Sequence, residues 1–167
     1  INWEQVKEER SRIFGLFKEG VPPLKVIKRV QEVMWQNVGV VRNEEMLEKA
    51  VTTLRKIRSN EAPKIGVTDG SKRYRYDLVQ ALEFYNILDT AEMVAQSALF
   101  RTESRGAHFR SDYPKRDDEN WLHHTLVKMG DGEIIISKTP VEIIDLRPEV
   151  SKYGKGCSSD ISIRSGC

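Results

Sequence analysis

The sequence predicts a mainly α-helical fold, an antiparallel three-helix bundle of the spectrin-repeat type with a small antiparallel β appendage at its C-terminal end. Apolar residues recur at three- and four-residue steps over most of residues 3–104, which is the spacing of amphipathic helices. Residues that start or end helices divide this pattern into four helical segments, and we expect the three main ones to pack antiparallel in a bundle. After residue 121 the pattern changes to one typical of short strands.

Two helical segments are predicted on either side of Gly20. The first, residues 3–19, precedes or extends the bundle, and the second starts at Pro22 and Pro23, which suit a first helical turn because their missing N–H is not needed there. We interpret the aromatic residues Trp3 and Trp35 as core residues rather than cofactor contacts. The two apolar stripes are Trp3, Val6, Ile13, Leu16 and Phe17, then Leu24, Ile27, Val30, Met34, Val38 and Val41.

The third helix is predicted to begin after Asn43. Asn43 is a good N-cap, and the acidic residues 44 and 45 favour the positive end of a helix. The apolar stripe of this helix is Leu47, Ala50, Val51, Leu54 and Ile57. Residues 59–73 then read as a polar loop with a turn at Asp69-Gly70.

The fourth and longest helix is predicted to be capped by Asp77, to extend to about Ser104 and to have its C-cap region at Gly106. Alanine replaces larger residues in the second half of its stripe, which lets another element approach closely. The stripe is Leu78, Ala81, Leu82, Tyr85, Leu88, Ala91, Ala95, Ala98 and Leu99.

The C-terminal part is predicted to contain three short strands, at residues 122–128, 133–137 and 141–146, with a hairpin loop at 129–132. Trp121 and Leu122 are expected to anchor the first strand on the bundle. We divide the chain into a helical bundle with its extended exit segment (1–121), a small β-rich element of the same domain (122–153) and a flexible tail rich in Gly and Ser (154–167).

Composition excludes several classes of function. The 167 residues carry 27 basic and 25 acidic side chains, a net charge of +2, which is too balanced to predict nucleic-acid binding. The chain lacks the apolar run of about 18 residues that a membrane helix needs, so we expect no direct membrane insertion. It begins Ile-Asn, without Met or a signal peptide, and we expect it to be a piece of a longer protein.

Motifs for catalysis, cofactors and metals are missing from the sequence. It contains no GxGxxG or GxxxxGK[ST] loop, and its three histidines do not define a catalytic set. Cys157 and Cys167 lie in the last eleven residues, which fits a reducing compartment better than a disulfide framework. Because no metal-ligand spacing occurs either, we assign no catalytic, cofactor-binding or metal-binding residue.

The segment RTESRGAHFRSDYPKRDDENWL at residues 101–122 is the most informative in the chain. It packs charges of both signs where the longest helix ends, which favours a docking surface held by ion pairs. Arg101, Glu103 and Arg105 occur at two-residue steps, so they cannot share one side of a helix.

This region resembles the C-terminal domain of the flavoprotein subunit of succinate dehydrogenase and fumarate reductase. The resemblance covers nearly the whole chain up to Tyr153. It rests on NILDTAEMVA at 86–95, ALFRTESRGAH at 98–108, RSDYP at 110–114, RDDENWL at 116–122 and HTL at 124–126, with NVGVVRNEEML at 37–47 and VEII at 141–144. L-aspartate oxidase shares ESRG, the histidine and DYP, but RDDENWL and HTL favour the succinate and fumarate enzymes.

The resemblance implies a domain that is not catalytic alone. It implies that FAD binds in an upstream domain of the parent chain and that the parent interconverts succinate and fumarate. The implied partners are the flavin-binding and capping domains of the same chain and an iron–sulfur subunit that accepts electrons. The implied location is cytoplasmic, peripheral on the inner face of the membrane through partner subunits. A stand-alone helical interaction module is the competing interpretation.

Six residues of the charged segment are therefore candidates for a domain interface: Arg101, Glu103, Arg105, His108, Arg110 and Asp112. Glu103 is expected to pair within the domain while Arg105 points to the flavin domain. The alternative is that these residues only cap the helix and order the extended exit.

Overall fold

Three helices form the predicted antiparallel bundle in the computed structural model, which describes residues 2–68, 75–130 and 133–142. A preceding helix and a C-terminal hairpin complete the predicted fold. The helices are α1 (Trp3–Phe14), α2 (Pro23–Asn37), α3 (Glu44–Lys56), α4 (Tyr76–Phe100) and α5 (Asp118–Trp121). The strands are β1 (Val41–Arg42), β2 (Phe109–Arg110), β3 (His123–Gly130) and β4 (Glu133–Pro140).

Two sets of contacts define the helix directions. Val21, just before α2, bridges Ile65, which follows α3, and the guanidinium of Arg75, just before α4, lies 4.4 Å from the ring centroid of Phe17. At the opposite end, β1 follows α2 and pairs in parallel with β2, which follows α4. Helices α2 and α4 therefore run in one direction and α3 runs in the other.

The core lies between α2, α3 and α4. All five residues of the predicted α3 stripe are buried, and the alanines of α4 allow close packing as expected. Phe84 of α4 is also fully buried, although the predicted stripe omitted it. The core residues of the other two helices are Val26, Ile27, Val30 and Val33 of α2, and Ala81, Phe84, Leu88, Ala91, Ala95 and Ala98 of α4.

One of the two predicted N-caps is confirmed. The side chain of Asn43 accepts a hydrogen bond of 2.9 Å from the backbone N–H of Met46, as an N-cap does. Asp77 is not a cap, because α4 begins one residue before it and its carboxylate accepts from the N–H of Leu78. Helix α4 also ends at Phe100 rather than near residue 104, which leaves Gly106 outside the helix end.

The prediction for the first helix was wrong in length and in burial. Helix α1 ends at Phe14 and buries none of its residues, and Trp3 and Trp35 are 69% and 85% exposed. The spacing of apolar residues shows which side chains share a helix face, but it does not show whether another element covers that face. Only the turn after α1 reaches the core, through Leu16 and the partly buried Phe17.

The predicted polar loop 59–73 is largely ordered where it is described. Ile57–Glu61 forms a π-helical turn and Ala62–Lys64 a 3-10 turn, and residues 65–67 are buried. A Cβ at Gly66 would lie 2.3 Å from the carbonyl oxygen of Lys18, so the two chain segments can approach this closely only with glycine there. The predicted Asp69-Gly70 turn lies outside the described residues.

The predicted hairpin is confirmed, with strands slightly longer than expected. Strands β3 and β4 pair antiparallel from His123 with Pro140 to Gly130 with Glu133. Val141 and Glu142 are not in a strand, and the rest of the predicted third strand and of the tail lies outside the described residues. The boundaries between the three proposed parts of the chain stay a prediction.

Trp121 anchors the start of the hairpin, as expected. It is buried, and its ring meets the ring of Phe100 edge-on at a centroid distance of 5.5 Å. The Nζ of Lys138 in β4 lies 3.4 Å from the Trp121 ring centroid, within the range of a cation–π contact. The end of α4 and the hairpin are therefore packed on the same side chain.

Truncation of the core should be costly and truncation of an exposed aromatic residue should not. We expect Leu88→Ala to lower the free energy of unfolding by about 2–5 kcal/mol, because Leu88 is fully buried and its loss leaves a cavity. Trp35→Ala should change it by less than about 0.5 kcal/mol, as exposed positions do. Urea unfolding of both variants tests this, and a large loss from Trp35→Ala would contradict the described packing of α2.

Candidate functional site

The candidate site is the charged segment that leaves α4 and crosses the end of the bundle. It brings all six predicted residues to the place where α4 ends and α3 begins. Arg105 and His108 exchange backbone hydrogen bonds of 2.8 and 3.0 Å across a turn, and Gly106 takes a φ of 58° inside it. Glycine adopts this left-handed conformation without strain, so Gly106 shapes the exit turn rather than the end of the helix.

Arg110 occupies the centre of the site and is fully buried. Its Nη1 donates to the carbonyl oxygens of Ala98, Leu99 and Arg101 at 3.2, 3.1 and 3.3 Å. The last carbonyls of a helix have no partner within the helix, so the guanidinium of Arg110 satisfies the C-terminal end of α4.

Asp112 connects Arg110 to the next helix. Its two carboxylate oxygens accept from Nε and Nη2 of Arg110 at 2.8 and 2.6 Å, and Oδ2 also accepts from the N–H of Glu44 at 2.9 Å. Glu44 is the first residue of α3, where unpaired N–H groups and the helix dipole favour an anion. The hydrogen bonds from Arg110, with a smaller contribution from that N–H, lower the pKa of Asp112 to about 2.

Glu103 is the second buried charge, with no exposed side-chain surface. Its carboxylate accepts from Nη1 of Arg101, from Nε of Arg105 at 2.7 Å and from the N–H of Asp117 at 2.8 Å. Glu103 pairs within the domain, as the sequence predicted.

Arg105 points inward rather than away from the domain, contrary to the expectation. Besides Glu103, its guanidinium binds Asp118 at 2.7 Å, and 28% of its side chain remains exposed. The reason is that Glu103 is buried beside two cations, and a buried carboxylate needs several donors. The expectation failed because α4 ends at Phe100 rather than near residue 104, and residues two apart in an extended segment share one face.

Arg101 joins the exit of α4 to the hairpin. Its guanidinium donates to the carbonyl oxygens of Trp121, at 3.2 Å, and of His123, and it lies 5.2 Å from the Trp121 ring centroid. Arg101 and Glu103 thus hold both the helix exit and the returning strand.

His108 is half-buried against the same backbone. Its Nε2 lies 3.2 Å from the carbonyl oxygen of Arg101. Burial, and then the nearby charges of Arg42, Arg110 and Arg101, lower the pKa of His108 against the opposing effect of that hydrogen bond. A histidine with a lowered pKa is neutral at pH 7, and its described contact is to backbone rather than to a carboxylate.

A groove of about 400 Å³ runs along α4 beside this network. Its floor is a helical stripe of α4, and Arg42 and His108 form one wall. Arg42 was not among the predicted site residues, because nothing in the sequence around residue 42 shows which side chains will lie near it. The lining residues are Arg42, Thr90, Met93, Val94, Ser97, Ala98, Arg101, His108 and Thr125.

The described groove combines cations with apolar side chains, an arrangement that suits the recognition of an acidic group. The described residues contain no cluster of three or more His, Cys, Asp or Glu side chains that could hold a metal ion. Among the same residues, no helix combines the length and the hydropathy needed to cross a bilayer.

Comparisons with known proteins agree with the resemblance in the sequence. The family model described as fumarate reductase flavoprotein C-term matches residues 27–153. The chain is 39% identical over 124 residues to the succinate dehydrogenase flavoprotein subunit of Rickettsia conorii, covering 74% of this chain and 21% of that protein. It is 35% identical over 153 residues to the fumarate reductase flavoprotein subunit of Haemophilus influenzae, covering 90% and 25%.

Solved structures show the same fold. A variant of the E. coli quinol fumarate reductase matches 87% of this chain and 26% of its own, with a TM-score of 0.79 and 30% identity. An adenosine-5-phosphosulfate reductase matches with a TM-score of 0.76 at 24% identity, which is a likeness of fold alone. The chain spans only about a fifth to a quarter of the length of the proteins it matches.

The Arg110–Asp112 pair should make stability depend on pH in the acid range. Because the pKa of Asp112 is lowered from 3.8 to about 2, its ionised form stabilises the fold above pH 4, and this contribution is lost as the pH falls from about 4 through 2. We expect Asp112→Asn to cost about 1–2 kcal/mol at pH 7. Urea unfolding between pH 7 and 2.5 should show the difference from the parent sequence shrinking below pH 4, whereas a constant difference would contradict the ion pair.

Arg105 and Arg116 form a matched pair for testing the inward position of Arg105. Both bind Oδ1 of Asp118, at 2.7 and 2.6 Å, but only Arg105 also binds the buried Glu103. Arg105→Ala should lower the free energy of unfolding by about 1–3 kcal/mol, because it removes donors from a buried carboxylate. Arg116→Ala should cost about 0–1 kcal/mol, as exposed ion pairs do. Equal, small effects in denaturant melts would mean that Arg105 faces outward.

Proposed function

Because the chain belongs to the family of succinate dehydrogenase and fumarate reductase flavoprotein subunits, as their C-terminal domain, we propose that it docks on the flavin-binding domain of a subunit that interconverts succinate and fumarate. The family match covers residues 27–153. The names of the relatives favour these enzymes over L-aspartate oxidase. The parent subunit would use FAD, and this domain would contribute no reacting group.

The observation that carries the docking proposal is the surface at the exit of α4. Glu103 and Arg110 are buried and paired internally, so the segment is braced without a partner. Apolar side chains nevertheless remain exposed around it, on β1, α4 and the segment from β2 onward: Val40, Val41, Val94, Phe109 and Tyr113. A rigid surface with neighbouring exposed apolar groups is typical of an interface between domains.

The six candidate residues have different roles in the proposed interface. Glu103, Arg110 and Asp112 hold the segment in shape through internal bonds. Arg101 and His108 line the groove, and Arg105 has a partly exposed edge. The partners would be the flavin-binding and capping domains of the same chain.

The wider partners follow from the same family. The parent subunit would pass electrons to an iron–sulfur subunit and lie on the cytoplasmic, inner face of the membrane, held there through partner subunits. A structural relative is named a quinol–fumarate reductase with menaquinol molecules. The described part of this chain supplies none of the redox centres of such an assembly by its own motifs.

The residues of this chain do not fit FAD. Flavin nucleotides are commonly held by a glycine-rich turn between a strand and a helix, where backbone N–H groups meet the pyrophosphate. The sequence has no such turn, and the described strands form two separate two-stranded sheets. No step of the succinate–fumarate reaction is therefore placed on these residues.

The isolated chain and the full parent flavoprotein should differ in a simple assay. The full protein should retain flavin through desalting and oxidise succinate with an artificial electron acceptor. The 167-residue chain should retain no flavin and show no turnover, because it lacks a pyrophosphate-binding turn. Visible absorbance after desalting and a succinate oxidation assay make the test. Stoichiometric flavin on the isolated chain, or a parent protein without succinate or fumarate activity, would refute the proposal.

A further inference from the structure

Arg42 is a half-buried cation without a counter-charge in the described part of the chain. Its Nε is buried and has no hydrogen-bond partner there. Burial, followed by repulsion from the guanidinium of Arg110, lowers the pKa of Arg42. A charged donor that is buried without a hydrogen-bond partner is costly. The described part of the domain thus lacks a negatively charged group for Arg42.

Each of the other predicted arginines of the site has a carboxylate partner. Arg101 and Arg105 share Glu103, and Arg110 pairs with Asp112. The ion pairs of the described residues thus leave the positive charge of Arg42 unbalanced. His108 lies close enough to Arg42 for that charge to lower the pKa of His108.

The space beside Arg42 is open to an incoming group. The groove of about 400 Å³ is lined by the cations Arg42 and Arg101, by His108, and by Met93 and Val94 of α4. This volume lies at the low end of the range for ligand pockets and is sufficient for one acidic side chain. A carboxylate is the group that best matches a guanidinium, because the planar fork of arginine meets both carboxylate oxygens.

We propose that in the assembled subunit this groove receives an aspartate or glutamate side chain of the flavin-binding part of the same polypeptide, and that Arg42 binds its carboxylate. This proposal rests on the docking proposed above. A protein carboxylate fits better than a free anion because the same groove also has apolar side chains, Met93 and the exposed Val94, and a small anion would leave them uncovered. The relatives also have about three quarters of their length outside the matched region, which is where the acidic residue would lie.

The test compares Arg42→Met in the 167-residue chain and in the full parent flavoprotein. Methionine keeps much of the length of the side chain and removes its charge. In the isolated chain the urea midpoint should stay the same or rise, since an uncompensated half-buried charge is lost. In the parent, amide hydrogen exchange over residues 90–101 and 106–110 should accelerate by at least about tenfold, because a buried carboxylate is left unpaired at the interface.

Arg58→Met is the matched control. Arg58 is also partly buried, but it pairs inside the domain with Asp89 and, at 3.0 Å, with Glu92. Its replacement should lower the urea midpoint of the isolated chain and should not selectively accelerate exchange at the groove of the parent.

The outcomes separate the two proposals. Equal exchange at the groove in the unmodified chain and in the unmodified parent would mean that this face does not dock, and the proposed function would lose its support. If the groove is protected from amide exchange in the parent and Arg42→Met does not change that protection, docking is retained and the carboxylate site is refuted. A loss of midpoint in isolated Arg42→Met as large as in Arg58→Met would also refute it, because Arg42 would then have a partner inside the domain.

Discussion

The exit of the longest helix depends on one buried guanidinium. Arg110 could not be buried as an isolated charge, because the desolvation of an unpaired ion costs far more than one domain can offset. It is accommodated because the carbonyl end of α4 and the carboxylate of Asp112 surround it. Asp112 in turn binds the first N–H of α3. The ends of two antiparallel helices are therefore joined through a pair of opposite charges, and the exit segment crosses the bundle at that joint.

Sequence reasoning predicted most of the bundle and less of its surroundings. The stripe of α3 was predicted completely, since each of its residues faces two other helices and the helical period alone identifies them. The same period placed Trp3 and Trp35 in a core that does not cover them. Periodicity defines a face, but the neighbour that covers the face depends on tertiary packing. Helix ends were misplaced for a related reason, since Asp77 is a suitable cap that the backbone does not use.

The charged segment forms ion pairs, as predicted, but which partners meet was predicted only in part, and its role as an interface stays a prediction. Alternating charges indicate that ion pairs exist without showing which partners meet. Arg105 meets Glu103 because α4 has already ended at Phe100, and residues two apart in an extended segment share one face. Arg42 was missed because it lies about sixty residues upstream in the sequence, and the parallel pairing of β1 with β2 brings it to the site. Internal pairing of most charges, with apolar groups left exposed beside them, matches the docking role proposed for this domain.

The link between Arg101 and the hairpin has a consequence for sequence variation. The guanidinium donates hydrogen bonds to the main-chain carbonyls of Trp121 and His123 rather than to any side chain of the strands. Every residue type has that acceptor. Much of the hairpin can then diverge in sequence while its attachment point stays the same. The arginine itself has no such freedom, because lysine has no planar fork with which to reach two carbonyls and Glu103 at once. The requirement for a particular residue type in this contact thus falls on Arg101, in the segment that follows α4, and not on the hairpin.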